Sequence, residues 1–318
     1  MTKHLSVLVF VLAAGVVVGV ADRSAAKTET ISSSPSFATG LRVLRLIDHS
    51  RVIRLPGGRT EPRPLVTYVR YPALGAPSGT DLIDAPAARS AGPFPLVVFG
   101  HGYAVTPAVY GRLLRTWTRA GYVVAAPVFP LSNQHAPGGP NEADLINQPT
   151  DLRFVISQLL AASAASGDPL NGMVDPAQIA VAGHSDGADT ALATAYNSHL
   201  RDTRVRAAMI FSGAEMTGLR GYAFPPGSPA LLAAQGTKDP YNPPHFTNAY
   251  FKIASRPKFL LTLLRAGHLP PFSYQQPQLG IVERVTIAFL DRYLKQGSLG
   301  QLIAAGTAPG IAQLTALP

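Results

Sequence analysis

The sequence predicts an α/β protein built on one mostly parallel sheet covered by helices on both faces. Three observations carry this. Strand-length apolar runs alternate with helical segments from Leu96 to Phe211, the pattern of parallel strands joined by helical crossovers. The stretch Gln178–Leu192 passes from an apolar run, through Gly183, His184, Ser185, Asp186 and Gly187, into an Ala-rich helical pattern. Two later strand runs end in loops carrying Asp239 and His268. With 318 residues and 47% hydrophobic content, the chain can bury a substantial core.

Taken in order, Lys3 and His4 precede an apolar run from Leu5 to Val20, and small residues offer cleavage after Ala21 or Ala26. Residues 1–26 therefore read as a secretory signal, which places the protein outside the cytoplasm: secreted, periplasmic or in the cell envelope. The run is 16 residues, short for a relaxed transmembrane helix. Residues 27–39, rich in Ser and Thr, read as a flexible leader, and 40–318 as a single domain. β-type runs at Leu41–Ile47, Val52–Ile53 and Leu65–Tyr71 suit antiparallel strands at a sheet edge, and Gly75–Pro95 reads as a surface loop.

Leu96–Phe99 reads as a buried strand ending in Gly100, His101, Gly102 and Tyr103. Backbone amides just past a central strand are what an oxyanion hole requires, and the Tyr103 N–H is the candidate donor. The competing reading is a tight strand exit with a packing histidine. Val109–Arg119 is helical by pattern, Tyr122–Pro127 a strand, Ser132–Asn141 a polar loop with a solvated His135, and Pro149–Ala165 a helix. Ile179–Ala182 and Ala188–Tyr196 then form the strand and helix of a nucleophile elbow with Ser185 at its tip. Gly183 and Gly187 remove side chains that would collide across such a turn. The alternative is a Gly-rich turn with an incidental serine.

Val205–Phe211, Ala230–Gln235 and Lys258–Leu264 are further strands. The last two deliver Asp239 and His268, completing the chain order Ser, Asp, His of this type of hydrolytic site. Only Ser212–Ser228, with Pro225, Pro226 and four glycines, follows Phe211 before the next strand region. That is too little for a cap domain, so no large lid is expected. Val282–Lys295 reads as an amphipathic closing helix with Asp291 exposed, and 297–318 as a tail without clear order. His184 reads as a packing residue beneath the elbow, Asp186 and Asp189 as charges favoured at a helix N-terminus. His49, His199 and His245 lack a partner pattern.

Several function classes drop out. Zero cysteines exclude disulfides and thiol chemistry. No His/Asp/Glu cluster has metal-ligand spacing and no glycine-rich nucleotide fingerprint opens a helix, so neither metal nor cofactor is expected. The formal net charge of +9 favours acidic surfaces. Its arginines are scattered and no nucleic-acid-binding motif accompanies them, so nucleic acid is not an expected partner.

Taken together, the Gly-His-Ser-Asp-Gly elbow, Gly-His-Gly-Tyr, Gly-Thr-Lys-Asp-Pro and Ala-Gly-His-Leu segments resemble the α/β-hydrolase superfamily over about residues 62–295. Within it the chain is similar to the bacterial cutinase, polyester hydrolase and dienelactone hydrolase-like branch, whose Gly-Tyr-Val-Val strand start is matched by Gly121–Val124. The resemblance implies an α/β-hydrolase fold, with Ser185 as nucleophile, Asp239 as acid, His268 as base and the amides of Tyr103 and Asp186 as oxyanion donors. It departs from polyester hydrolases in having Asp186 where they carry Met, Ala214 and Glu215 near the position of an expected Trp, and no C-terminal disulfide. The implied activity is cleavage of carboxylic esters, with short to medium acyl chains or polyester segments as substrates. A lipase or acyltransferase on the same triad is the alternative, and a noncatalytic binding protein keeping the fold is the alternative of another class.

Overall fold

The computed structural model describes residues 36–318. The expected export signal, 1–26, and most of the expected leader lie outside the described residues. In chain order the strands are β1 (Ala38–Arg54), β2 (Thr60–Ala73), β3 (Asp81–Ile83), β4 (Phe94–Gly100), β5 (Val123–Pro127), β6 (Val174–His184), β7 (Val205–Phe211), β8 (Ala230–Gly236), β9 (Lys258–Leu263) and β10 (Ala312–Leu317). The helices are α1 (Gly111–Arg119), α2 (Gln148–Ala164), α3 (Asp186–Tyr196), α4 (Pro244–Ile253), α5 (Pro270–Ser273), α6 (Gln278–Leu294) and α7 (Leu299–Ala305).

The strands form one sheet in the order β10-β9-β8-β7-β6-β4-β5-β2-β1-β3. From β5 to β9 the neighbours are parallel, while β10, β2 and β1 run antiparallel to the strands they flank. The parallel strands read as unbroken apolar runs because both faces are buried. In β4, Leu96 and Val98 pack with α2 and α3, whereas Val97 and Phe99 pack with α1 and α6, so the two-residue period assigns alternate side chains to two cores. The chain leaves β4 for β5 on one side and returns to β6 on the other. That reversal opens a crevice at the C-terminal strand ends, where open α/β sheets place their ligands.

Several local expectations are corrected. β1 begins at Ala38, inside the expected leader, and continues through Asp48 with a bulge before Val52, so the two predicted runs are one strand. The loop Gly75–Pro95 contains β3, whose Asp81 accepts hydrogen bonds from Arg70 and Arg115. Helix α4 adds to the expected elements and places Tyr250 and Phe251 in the buried core. The 297–318 tail holds α7 and β10, and β10 pairs with β9 along the full Ala312–Leu317 register. Such order depends on a partner strand distant in sequence, which local composition does not encode. Asp291 is half-buried, accepting from Tyr122 Oη at 2.6 Å and facing Lys295.

One buried ionic cluster ties the antiparallel edge to α2. Arg63 on β2 donates to both oxygens of Asp144, at 2.9 and 2.7 Å, and to both of Asp151, at 2.6 and 2.6 Å. Arg51 completes it through Asp48 and Asp151. The segment between β7 and β8 carries no helix, in keeping with the absence of a large lid. No helix among the described residues is long and apolar enough to cross a membrane.

Candidate active site

Ser185 follows β6 directly and opens α3 with φ 56° and ψ −127°, a conformation costing about 1–3 kcal/mol that persists only where its surroundings enforce it. The enforcement is visible. The Ser185 N–H donates to the Phe211 carbonyl at 3.0 Å, and the Ser185 carbonyl accepts from the Ala188 and Asp189 amides at 2.7 and 3.0 Å. A Cβ at Gly183 would overlap the Gly187 carbonyl, and one at Gly187 would overlap the Gly100 carbonyl. Both glycines are thus required by backbone contact between β4, the elbow and α3.

The loop after β4 lies against the elbow: a Cβ on Gly102 would sit 3.2 Å from Ser185 Cβ. His101, fully buried, holds this loop by donating from Nδ1 to the Gly102 carbonyl at 2.8 Å and accepting the Phe129 N–H on Nε2 at 3.0 Å. Burial lowers its pKa to about 4, so it stays neutral. It therefore packs and also shapes the strand exit. Tyr103 is anchored by its hydroxyl to the Pro140 carbonyl at 2.9 Å. Among the described residues neither its N–H nor that of Asp186 is bonded to a backbone carbonyl. At Asp186 this is the ordinary condition of the first turn of a helix.

Asp239 and His268 meet across the loops after β8 and β9, with His268 Nδ1 2.7 Å from Asp239 Oδ2. Asp239 Oδ1 also accepts the amides of Tyr241 and Asn242, at 3.0 and 2.9 Å. Burial disfavours its charge, but the bonds from His268 and Asn242 outweigh this and hold its pKa below the usual carboxylate value. An ionised Asp239 keeps the proton on His268 Nδ1 and leaves Nε2 free to accept one.

Sequence reasoning missed three supporting residues. Gln235 donates to Asp239 Oδ2 at 3.3 Å and is itself fixed by Thr247; its only signal was a polar residue closing an apolar strand. Asn242 donates to the Ser212 carbonyl at 2.6 Å, and its place three residues beyond Asp239 is the spacing of a turn capped by an Asp side chain. His184, expected only to pack, bridges Tyr110 Oη at 2.8 Å and the His268 carbonyl at 3.0 Å.

Asp186 is buried, with Oδ2 unpartnered. Burial and the nearby Glu142 raise its pKa to about 6, against the opposing influence of His268. Asp189 accepts the Ala214 N–H at 2.6 Å, and burial raises its pKa further above the usual value. Neither is simply a solvated helix-terminus charge.

This strand order, with a strained serine after the central strand and a His–Asp pair after two later ones, defines the class: the chain is an α/β-hydrolase-fold protein. Residues 69–212 match the family described as chlorophyllase. That stretch spans the Gly-His-Gly-Tyr loop and the elbow and ends before Asp239 and His268. A solved structure, the ferulic acid esterase from Streptomyces cinnamoneus, superposes with a TM-score of 0.62 at 21% identity, covering 85% of this chain and 94% of that one. No curated protein sequence matches significantly.

Proposed function

We propose that the protein is an exported serine esterase that cleaves carboxylic esters through an acyl-enzyme on Ser185. The observation that carries the reading is the 2.7 Å His268–Asp239 contact, with the His268 ring packed on His184, the residue that precedes a serine held at positive φ. In the reaction His268 Nε2 takes the hydroxyl proton as Ser185 Oγ bonds to the carbonyl carbon, and the Tyr103 and Asp186 amides receive the oxyanion. Collapse expels the alcohol, which takes the proton from His268. Water then repeats the sequence on the acyl-enzyme and releases the acid.

The likenesses to chlorophyllase and to a ferulic acid esterase support an esterase-type hydrolase. The short β7–β8 connection supports soluble esters of short to medium acyl chains, or polyester segments, rather than substrates that need a lipid interface. Export rests on the apolar run Leu5–Val20 and the small residues after it, and the positive net charge favours acidic surfaces around the exported protein. Fluorophosphonate labelling followed by peptide mass spectrometry tests the chemistry. The expected adduct is on Ser185, with Ser185→Ala losing both label and activity by several orders of magnitude. Full esterase activity in folded Ser185→Ala would end the proposal.

A further inference from the structure

Beside the nucleophile, reached through Asp186, lies a cleft of about 490 Å³. Its walls come from residues 142–146, the first turn of α3, residues 214–217 and the start of α4. Four carboxyl groups line it, those of Glu142, Asp186, Asp189 and Glu215, and no Lys, Arg or His does so. In a chain of formal net charge +9 this is a local inversion of sign. None of the four forms an ion pair among the described residues.

A second observation points to a ligand. Asp186 lines the cleft at only 7% exposure, yet its Oδ2 has no hydrogen-bond donor. A carboxylate so placed is costly unless something of opposite charge arrives. Burial and Glu142 oppose ionisation of Asp186, and burial does the same at Glu215, so an incoming cation would relieve both. Apart from Thr217 and Asn242 the remaining lining is apolar, with Ile146 and Phe246 exposed at 48% and 41%. An aromatic face and alkyl side chains suit the methyl groups of a substituted ammonium, and among the described residues the four carboxyl groups do not converge as ligands for a metal ion.

We propose that this cleft binds an organic ammonium group of the substrate, so that esters carrying such a cation near the scissile bond are cleaved in preference to neutral isosteres. The inference rests on the esterase reading and names a substrate class for the same site.

The test compares two isosteric pairs: butyrylcholine with 3,3-dimethylbutyl butyrate, and the p-nitrophenyl esters of 4-(trimethylammonio)butyrate and 5,5-dimethylhexanoate. The pairs place the charge on the alcohol and acyl side respectively. In at least one pair, kcat/KM is expected to favour the cation by about tenfold or more, and the ratio should shrink as salt is added. Asp186→Asn, which retains the backbone amide, and Glu142→Gln should each lower the ratio about threefold or more. Cleavage of the neutral esters with no cation preference in either pair would overturn the inference and leave the esterase reading standing. So would a preference that neither substitution changes. Failure to cleave any ester, together with absence of fluorophosphonate labelling, would remove both.

Discussion

The His184 ring nitrogen Nε2 lies 3.0 Å from the carbonyl oxygen of His268. A carbonyl can only accept, so Nε2 carries the proton and Nδ1 accepts from Tyr110 Oη at 2.8 Å. Tyr110 Oη in turn receives the Gly102 N–H at 3.4 Å. Burial, reinforced by the neighbouring His268 imidazole, lowers the His184 pKa to about 3, so this polarity does not change over the working range. The loop carrying Tyr103 is thereby tied through two side chains to the backbone of the base.

Removing that link should loosen the geometry of the base without touching its chemistry. His184→Leu keeps most of the bulk but deletes both hydrogen bonds. It is expected to lower kcat about ten- to hundredfold, the scale of a misplacement near 1 Å, and to cost about 1–3 kcal/mol because the buried Tyr110 O–H is left without an acceptor. Steady-state kinetics and urea unfolding measure the two effects. An unchanged kcat would show that His184 only packs.

The elbow glycines should tolerate no side chain. At Gly187 the added Cβ would meet backbone atoms of Gly100 and His101 rather than a movable side chain. Gly187→Ala must therefore part β4 from α3 or fail to fold. We expect a loss of about 3 kcal/mol or more, within the upper range for overpacked cores, and loss of fluorophosphonate labelling. A labelled Gly187→Ala protein with wild-type melting behaviour would contradict the contact.

The Arg63 cluster should behave as a buried ion network. Arg63→Met leaves Asp144 and Asp151 buried without their main counter-charge, and Arg51 compensates only Asp151. The expected cost is about 3–5 kcal/mol. Replacing the group together, as Arg63→Met with Asp144→Leu and Asp151→Leu, should recover much of it. Denaturant melts of the single and triple variants decide this, and a single variant as stable as the parent would refute it.

Asp186 gives a pH signature. Its folded pKa of about 6 lies above the ordinary carboxyl value of 3.8, so the folded state binds its proton more tightly than the unfolded chain. The associated stability is complete below about pH 4 and is lost as pH rises through about 6. Asp186→Asn should therefore gain on the parent by about 2–3 kcal/mol between pH 4 and pH 8, as measured by unfolding at each pH. A difference independent of pH would mean that the carboxyl titrates normally.

Elements whose cause is local are legible in the order of the residues. Unbroken apolar runs such as Leu96–Phe99 can be buried on both faces only in a parallel sheet, and Gly183, Ser185 and Gly187 are spaced for one kind of turn. Strand ends also located Asp239 and His268, because the residues after a strand must fall on the same edge of the sheet as the strand itself. Tertiary structure alone decided what those residues face. His184 reaches a partner 84 residues away, and Arg63 finds partners 81 and 88 residues away. Ala312–Leu317 becomes a strand because β9 offers it an edge, and Asp186 changes from a helix-terminus charge to a buried acid through burial and the nearby Glu142. Hydrogen-bond satisfaction and desolvation depend on what arrives from elsewhere in the chain, and no local pattern of residues records that arrival.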